Sequence, residues 1–385
     1  MKILFYLHHY PDIGGIEKVT EILSKYLVEK GYQISILSYI QNKEMQYSDS
    51  RISYYKMPEI TNKQINENKE YLRTLLKAQK FDIIIFQDSY APIEDILFKA
   101  SHKLNCKIIT VEHNTPDCGW ILFWYKLYHV HLSLKSWLSI PYHYWYMSSH
   151  TKKRLQKLYR QSDMYVLLSQ SFINILRKRF KIQSFKKCYY INNPITIPTL
   201  ENSSCPPKQH ELLFVGRFSK QKGIDILLKI WKKISPNYPD WKLKLVGGGE
   251  LESFILEYIK RNNLKNIQLE GFQTDTSKYY QNAAILCMTS VFEGWGLVLT
   301  EAMSRGCVPI AFHSFKSVTD IIDDKENGFL IPPFNQELFI EKLKYLMDNI
   351  IEREIISTKA IQKSKNFTID NIGKEWEKLF SIITQ

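Results

Sequence analysis

The chain lacks most of the short patterns that would indicate a chemistry directly. Its six cysteines form no CxxC pair, and no group of Cys and His has the spacing of a zinc site. Neither the G-x-G-x-x-G fingerprint of dinucleotide binding nor a Walker phosphate loop is present. No apolar stretch reaches the ~18 uncharged residues that a membrane-spanning helix needs, and no signal peptide is visible. These absences argue against a disulfide scaffold, a zinc module and an integral membrane protein.

The proportions of hydrophobic and charged residues are those of an ordinary globular protein. Of the 385 residues, 44% are hydrophobic and 24% are charged. At a typical ~150 residues per domain, this length predicts two domains, each able to bury a core. Because the cysteines are scattered and unpaired, they suit a reducing compartment. We therefore expect a cytoplasmic protein of two domains.

The charge is positive and concentrated in one region. The formal net charge is +13, and the window from Trp120 to Tyr190 holds thirteen Lys or Arg against a single acid, Asp163. The rest of the chain is therefore nearly neutral. A local excess of this kind favours an anionic partner at one surface.

Short apolar runs alternate with helical patterns along the chain. Lys2–Leu7 reads as a strand, Gly15–Lys30 as an amphipathic helix and Gln33–Ser38 as the next strand. The alternation restarts near residue 211. It predicts an α/β fold of two doubly wound, Rossmann-like domains that face each other across a cleft. The predicted parts are an N-terminal domain at 1–195, a linker at 196–210, a C-terminal domain at 211–365 and a final helical segment at 366–385.

Ligands of such sheets bind beyond the carboxyl ends of the strands, so residues that follow strands are the first candidates. Gly14 and Gly15 lie between the first strand and the first helix, where free N–H groups favour an anion. A tight turn without a ligand is the alternative. His113 follows the predicted strand Lys107–Val111, where an imidazole can bond a hydroxyl or a phosphate. A purely structural histidine is the alternative there.

Two further segments belong to the second domain. In the loop Gly216–Gly223, Arg217 offers a planar fork and Lys222 a point charge, and both can converge on one diphosphate unless they are simply solvated. Glu293 precedes a glycine-flanked loop, and Glu301 lies about one turn into the following helix. A loop carboxylate can bond sugar hydroxyls, and a helical one can accept both hydroxyls of a ribose.

Taken in order, these segments resemble the family 4 retaining glycosyltransferases of the GT-B fold. The resemblance covers nearly the whole chain and is densest from residue 211 to residue 332. It implies that the C-terminal helix at 366–385 crosses back to the N-terminal domain. It is carried by Asn193-Pro194, Val215-Gly216-Arg217, Lys222-Gly223, Val246 through Glu250, Glu293 through Glu301, Ala302-Met303 and Gly306.

The resemblance implies a role for each candidate. Arg217 and Lys222 would bind the donor diphosphate and neutralise the leaving group. Glu301 would hold the nucleotide ribose, and Glu293 and His113 would lie at the donor sugar. Gly15 would let the first loop close on the diphosphate. The remaining donor contacts would come from Gly216 and from the backbone amides of Gly294, Trp295, Gly296 and Leu297.

The resemblance also implies a reaction. The sugar would be transferred with retention at the anomeric carbon, and the leaving phosphate would accept the proton of the acceptor. Members are usually metal-independent, which agrees with the absence of an Asp-x-Asp pair, so neither a metal nor another cofactor is expected. UDP is the favoured donor nucleotide and GDP the main rival. The segment His313–Ser317 replaces a glycine-rich loop of many members, which leaves the donor sugar open.

The segment from Trp120 to Arg160 combines eleven aromatic residues and seven Lys or Arg with no acid. Such a mixture is typical of a membrane interface, so we expect a peripheral enzyme on the inner face of the cell membrane. An aromatic core and a nucleic-acid surface are the alternatives. The patch is defined by Trp124, Lys126, Lys135, Trp137, Trp145, Lys152, Lys153 and Arg154.

The expected function is glycosyl transfer to a lipid-linked glycan acceptor in the assembly of a surface polysaccharide. A soluble transferase acting on a small molecule or a protein is the first alternative. A non-catalytic nucleic-acid-binding protein is the second, although no nucleic-acid module pattern is present and nucleic acid is not an expected partner.

Overall fold

The computed structural model describes residues 1–42, 45–47, 49–58, 65–87, 93–129, 134–198 and 207–385. For the helical residues 122, 125–129 and 134–147, it describes the backbone but not the side chains. The chain forms two compact units. Unit 1 comprises Met1–Trp120, His131–Pro194 and Ile369–Gln385, and unit 2 comprises Ile121–Val130 and Ile195–Thr368. The sequence-based division kept residues 121–130 in the N-terminal domain.

Unit 1 is built on a parallel sheet. Its strands are β1 Lys2–His9, β2 Gln33–Ile40, β3 Ser53–Lys56, β4 Ile83–Phe86, β5 Lys107–Glu112, β6 Met164–Leu167 and β7 Cys188–Tyr190. Across the described ranges, seven strands pair in the order β3-β2-β1-β4-β5-β6-β7. The interior strand β1 is buried from Ile3 to Leu7, as expected for a parallel sheet that is covered on both faces.

Unit 2 repeats this plan. Its strands are β8 Gln209–Val215, β9 Lys242–Val246, β10 Ile267–Gly271, β11 Ala283–Met288, β12 Val308–Phe312 and β13 Phe329–Ile331. In the part of unit 2 that is described, six strands pair in the order β10-β9-β8-β11-β12-β13, again all parallel. The predicted class, two parallel-sheet Rossmann-like domains, is confirmed.

Helices connect the strands. They are α1 Gly15–Glu29, α2 Ile65–Gln79, α3 Glu94–Ser101, α4 Cys118–His129, α5 Leu134–Gln161, α6 Phe172–Phe180, α7 Ile224–Ile234, α8 Glu252–Arg261, α9 Ser277–Asn282, α10 Leu297–Ser304, α11 Val318–Ile321, α12 Gln336–Asp348, α13 Ile350–Ser364 and α14 Ile369–Thr384. The last helix belongs to unit 1, where Tyr26 of α1 donates a 2.6 Å hydrogen bond to Glu377 of α14.

Each sheet has one topological switch point. The strand order reverses between β1 and β4 in unit 1 and between β8 and β11 in unit 2. In doubly wound sheets, ligands bind at the carboxyl ends of the strands beside such a point. The candidate site residues are therefore those that follow β1, β4, β8 and β11, together with those that follow the neighbouring strand β5.

Candidate functional site

The loop after β8 is fixed against the end of β11 by a close backbone approach. A 3-10 turn at Lys220–Lys222 leads into Gly223, whose φ of +64 starts α7. A Cβ at Gly223 would lie 2.1 Å from the carbonyl oxygen of Thr289, so a glycine is required there. The Thr289 hydroxyl donates a 2.9 Å hydrogen bond to the Gly223 carbonyl. The sequence thus places this cation-bearing loop at the switch point of unit 2.

The cations of this loop have different surroundings. Lys220 Nζ lies 2.8 Å from Asp225 Oδ2, and Lys222 Nζ lies 2.6 Å from Glu293 Oε1. Arg217 is exposed, and no residue in the described ranges forms an ion pair or hydrogen bond with its guanidinium. Arg217 is therefore open to an external anion, whereas Lys222 is already joined to the second predicted motif.

Glu293 is buried and its Oε1 atom accepts two hydrogen bonds. One comes from Lys222 and the other from the Ser290 hydroxyl at 2.7 Å. An ammonium group has three N–H donors, so Lys222 can hold Glu293 and still direct a proton to a bound anion. The structure therefore joins two of the predicted site residues directly.

The segment His313–Ser317 supports the loop that contains Glu293. The Ser314 hydroxyl donates to the Ser290 carbonyl at 2.5 Å, and the Ser317 hydroxyl donates to the Gly294 carbonyl at 2.7 Å. Phe315 between them is buried. The departure from the glycine-rich pattern thus supplies side-chain hydroxyls that fix the backbone on both sides of Glu293.

The loop Gly294–Leu297 presents backbone rather than side chains. Gly296 caps α10 with a φ of +96. The Trp295 side chain is only 2% exposed, and its ring centroid lies 5.4 Å from that of Phe367. Within the described part of the chain, its indole N–H has no hydrogen-bond partner. The indole therefore packs inside unit 2, and the backbone amide is the part of Trp295 that remains for a ligand.

Glu301 is buried on α10 and is oriented by two hydroxyl groups. Tyr280 donates to Oε2 at 2.7 Å, and Thr196 donates to Oε1. Burial and the neighbouring carboxylate raise the pKa of Tyr280 well above its usual range, so this hydroxyl stays protonated. A carboxylate has about four lone-pair sites, so Glu301 keeps acceptor capacity for two further hydroxyls. Sequence reasoning missed both partners: Thr196 lay in the predicted linker, and Tyr280 belongs to no motif.

In unit 1, a carboxylate covers the predicted glycine site. Gly14 is the N-cap of α1, and Gly15 is its first residue. The Glu17 carboxylate lies so close to Gly14 that a Cβ there would be 2.0 Å from its Oε2 atom. A carboxylate therefore lies beside the predicted anion site, and its negative charge disfavours a second anion there.

His113 is buried directly after β5. Its Nε2 atom lies 2.6 Å from Oε1 of Gln87, the residue that follows β4. Burial lowers the pKa of His113 to about 3, so the imidazole is neutral at physiological pH. A neutral imidazole can accept a hydrogen bond but does not supply a positive charge to phosphate.

The basic aromatic patch is only partly described. Trp124 is 37% exposed, Lys153 is exposed and Lys152 is half-buried. Arg154 turns inward instead: its Nε atom lies 3.1 Å from Glu94 Oε1, with both side chains no more than 13% exposed. We correct the patch accordingly, because an ion pair inside unit 1 removes this cation from the surface. The side chains of Lys126, Lys135, Trp137 and Trp145 lie outside the described residues.

Two further findings concern metals and membranes. Among the described residues, no three His, Cys, Asp or Glu side chains come together as a metal site would require. Over the same ranges, no helix combines the length and the apolar character needed to cross a bilayer.

The fold and these loops define a two-domain transferase of the GT-B class, and the comparison with family models agrees. Glycosyltransferase Family 4 matches residues 13–197, and Glycosyl transferases group 1 matches residues 199–363. The chain belongs to the family 4 glycosyltransferases.

Individual relatives extend over the full chain. An uncharacterized glycosyltransferase of Haemophilus influenzae is 28% identical, covering 98% of this chain and 99% of the relative. The amylovoran biosynthesis glycosyltransferase AmsD of Erwinia amylovora is 24% identical, with 99% of each chain covered. A variant of S. aureus TarM, crystallised with Fondaparinux, alpha-GlcNAc-glycerol and UDP, shares the fold at a TM-score of 0.76 and 15% identity, covering 98% of this chain and 99% of TarM.

Proposed function

We propose that the protein is a retaining, metal-independent glycosyltransferase that moves a sugar from a UDP-sugar to a hydroxyl of a lipid-linked glycan acceptor in surface-polysaccharide assembly. The observation that carries the proposal is the loop after β8, where an exposed Arg217 accompanies the Lys222–Glu293 ion pair. The relatives add support, since AmsD is named for amylovoran biosynthesis and TarM was crystallised with UDP and an alpha-linked sugar.

The proposed chemistry assigns a task to each side chain of this site. As the bond between the anomeric carbon and the diphosphate breaks, negative charge grows on the leaving phosphate oxygen. Arg217 and Lys222 stabilise that charge, as positioned cationic donors do in other active sites. The leaving phosphate then takes the proton of the acceptor hydroxyl while the new carbon–oxygen bond forms on the same face. Glu293 contacts the sugar, and Glu301 accepts from the ribose hydroxyls.

Nucleotide binding gives the first test. Thermal unfolding is measured with UDP, GDP, ADP, TDP and CMP in turn. A nucleotide at ~100 times its dissociation constant stabilises the folded protein by ~2.7 kcal/mol. We expect UDP to raise the melting temperature, Glu301→Ala to abolish that shift, and the exposed Glu257→Ala on α8 to preserve it. If no nucleotide shifts the wild-type protein and single-stranded nucleic acid does, the binding-protein alternative is correct.

We further propose that the enzyme is peripheral at the anionic inner face of the cell membrane. The support is the charge of the 120–190 window, together with the exposure of Lys153 and the partial exposure of Lys152 in unit 1. Each cation near such a surface contributes ~1 kcal/mol.

Vesicle co-sedimentation tests this membrane association. The protein should pellet with phosphatidylglycerol vesicles at low salt, and much less with pure phosphatidylcholine. The Lys152→Glu/Lys153→Glu variant should lose binding, whereas Lys232→Glu/Lys233→Glu, which changes two exposed lysines of α7, serves as the matched control. Failure of the wild-type protein to pellet would favour a soluble transferase with a small or protein acceptor.

A further inference from the structure

Three side chains of unit 1 form a continuous hydrogen-bonded chain that ends on the backbone of α1. His113 Nε2 lies 2.6 Å from Gln87 Oε1, and Gln87 Nε2 donates to Thr20 Oγ1 at 2.8 Å. The Thr20 hydroxyl in turn donates to the carbonyl of Ile16 at 2.7 Å. All three side chains are buried, so water does not compete for these bonds.

We call the series Ile16 carbonyl–Thr20–Gln87–His113 the relay. The Ile16 carbonyl at its end fixes the direction of every hydrogen bond in the relay. A backbone carbonyl only accepts, so the single Thr20 proton is used there. The Thr20 oxygen must therefore accept from the Gln87 amide N–H, which turns the Gln87 oxygen toward His113. Because that oxygen cannot donate, Nε2 of His113 carries the proton. The opposite amide orientation would require the Thr20 proton to leave Ile16.

The other nitrogen of the imidazole is left as an acceptor. Burial keeps the ring neutral, with a pKa of about 3, so it carries one proton and that proton is on Nε2. The residues that the structure describes make no hydrogen bond to Nδ1 of His113. A bare Nδ1 atom can accept from a hydroxyl, but it repels the oxygens of a phosphate, which are themselves acceptors.

We propose that Thr20 and Gln87 are positioning residues that hold His113 as the Nε2–H tautomer, so that Nδ1 is left as a hydrogen-bond acceptor for a hydroxyl group and cannot donate to a phosphate. The identity of the ligand rests on the proposed glycosyltransferase function. The tautomer of His113 does not depend on that function. It adds to His113 two residues, 26 and 93 positions away along the chain, that carry no motif.

The tautomer is tested first, without any ligand. Protein labelled with 15N-histidine is studied by long-range 1H–15N NMR at neutral pH, and the His113 signals are assigned from their loss in His113→Asn. We expect a protonated Nε2 and an unprotonated Nδ1. Thr20→Ser should keep this pattern, and Thr20→Val should mix the two tautomers. A wild-type ring protonated on Nδ1, or a pattern unchanged in Thr20→Val, would overturn the relay.

A second variant separates positioning from simple packing. In Gln87→Glu, a carboxylate faces the ring and favours its protonated form, so the pKa of His113 should rise into the range that NMR titration can follow. Gln87→Met, of similar size but without a charge, should leave the ring neutral. An unchanged His113 titration in Gln87→Glu would contradict direct contact between the two side chains.

The contact between His113 and a ligand is tested with UDP-glucose, UDP-galactose and UDP-N-acetylglucosamine, and UDP alone serves as the control. At saturation, judged by thermal shift, a bound UDP-sugar should move the Nδ1 resonance of His113, and UDP alone should not. An unmoved Nδ1 in the presence of a saturating sugar nucleotide overturns the hydroxyl contact. If none of the nucleotides binds while the tautomer is as expected, the proposed function fails and the relay stands.

Discussion

The first six strands of unit 1 and the six described strands of unit 2 follow the same order, but the chemistry beyond their carboxyl ends differs. In unit 2, the exits of β8 and β11 carry charge, with Lys222 bound to Glu293 and Arg217 exposed. In unit 1, the exits of β4 and β5 carry a neutral relay in which Gln87 fixes the ring of His113. One fold thus supports either ionic or neutral recognition, and the difference lies in a few residues after the strands. An exposed cation favours an anionic ligand, whereas a neutral acceptor nitrogen favours a hydroxyl group.

The largest expected effect comes from breaking the backbone contact that shapes the charged loop. Gly223→Ala would force a Cβ to within 2.1 Å of the Thr289 carbonyl at a φ of +64. A left-handed alanine alone costs ~1 kcal/mol or more, and this steric clash adds to that cost. We expect the free energy of unfolding of unit 2, measured in denaturant, to fall by several times that amount. Nucleotide binding should also be lost.

Gly31 in unit 1 provides the matched control. Its φ is +85, but a Cβ there would meet nothing within 4 Å. Gly31→Ala should therefore cost only the ~1 kcal/mol of backbone strain and should leave nucleotide binding intact. Equal losses in the two variants would show that the close approach at Thr289 is not what holds the loop.

The next effect concerns catalysis in the charged loop. Lys222→Ala should lower turnover at least ~10²-fold, because it removes a cation placed where charge develops on the leaving group. Lys220→Ala in the same 3-10 turn should change turnover little, since Lys220 pairs with Asp225 instead. Initial rates of UDP release from a UDP-sugar that binds provide the measurement. Near-normal turnover in Lys222→Ala would contradict the assignment of Lys222 to the donor site.

The last effect, which is small per unit of pH, concerns the neutral relay and its pH dependence. Burial lowers the pKa of His113 from 6.5 to about 3, so as the pH falls the unfolded chain binds this proton first. The stability that depends on a neutral ring is therefore complete above pH 6.5 and is lost as the pH falls toward 3. The slope from one such group is at most ~1.4 kcal/mol per pH unit.

Urea unfolding at several pH values between these limits measures that slope. His113→Asn should flatten it, because the group that binds the extra proton is gone. Identical slopes for the wild-type protein and His113→Asn would mean that His113 is not held neutral by its surroundings.

The charged site was predictable because its signals are short and local. Arg217 and Lys222 share one loop between glycines, and Glu293 lies in a second glycine-flanked loop after another strand of the same sheet. Of these three residues, the structure brings Lys222 and Glu293 into direct contact. The edge strands β3, β7 and β13 were not predicted. Each has only three or four residues, too few for a clear alternation of apolar and polar positions.

The partners that orient the site could not be predicted, because they are distant in sequence and chemically ordinary. Thr196 reaches Glu301 across 105 positions, and Gln87 reaches His113 across 26. Arg154 was expected at the surface as part of the basic aromatic patch. Its direction on the long helix α5 instead brings it to Glu94, 60 positions away. Such pairings depend on the packing of helices on the sheet, which no local pattern in the sequence records.

Hydrogen–deuterium exchange with and without saturating UDP tests the central claim most directly. If the charged loops of unit 2 bind the nucleotide, UDP should slow amide exchange in peptides that cover residues 216–223 and 290–301. A peptide from α8, in the same unit but away from these loops in sequence, should be unchanged. Unaltered exchange in both loops, at a UDP concentration that has already raised the melting temperature, would show that the nucleotide binds elsewhere.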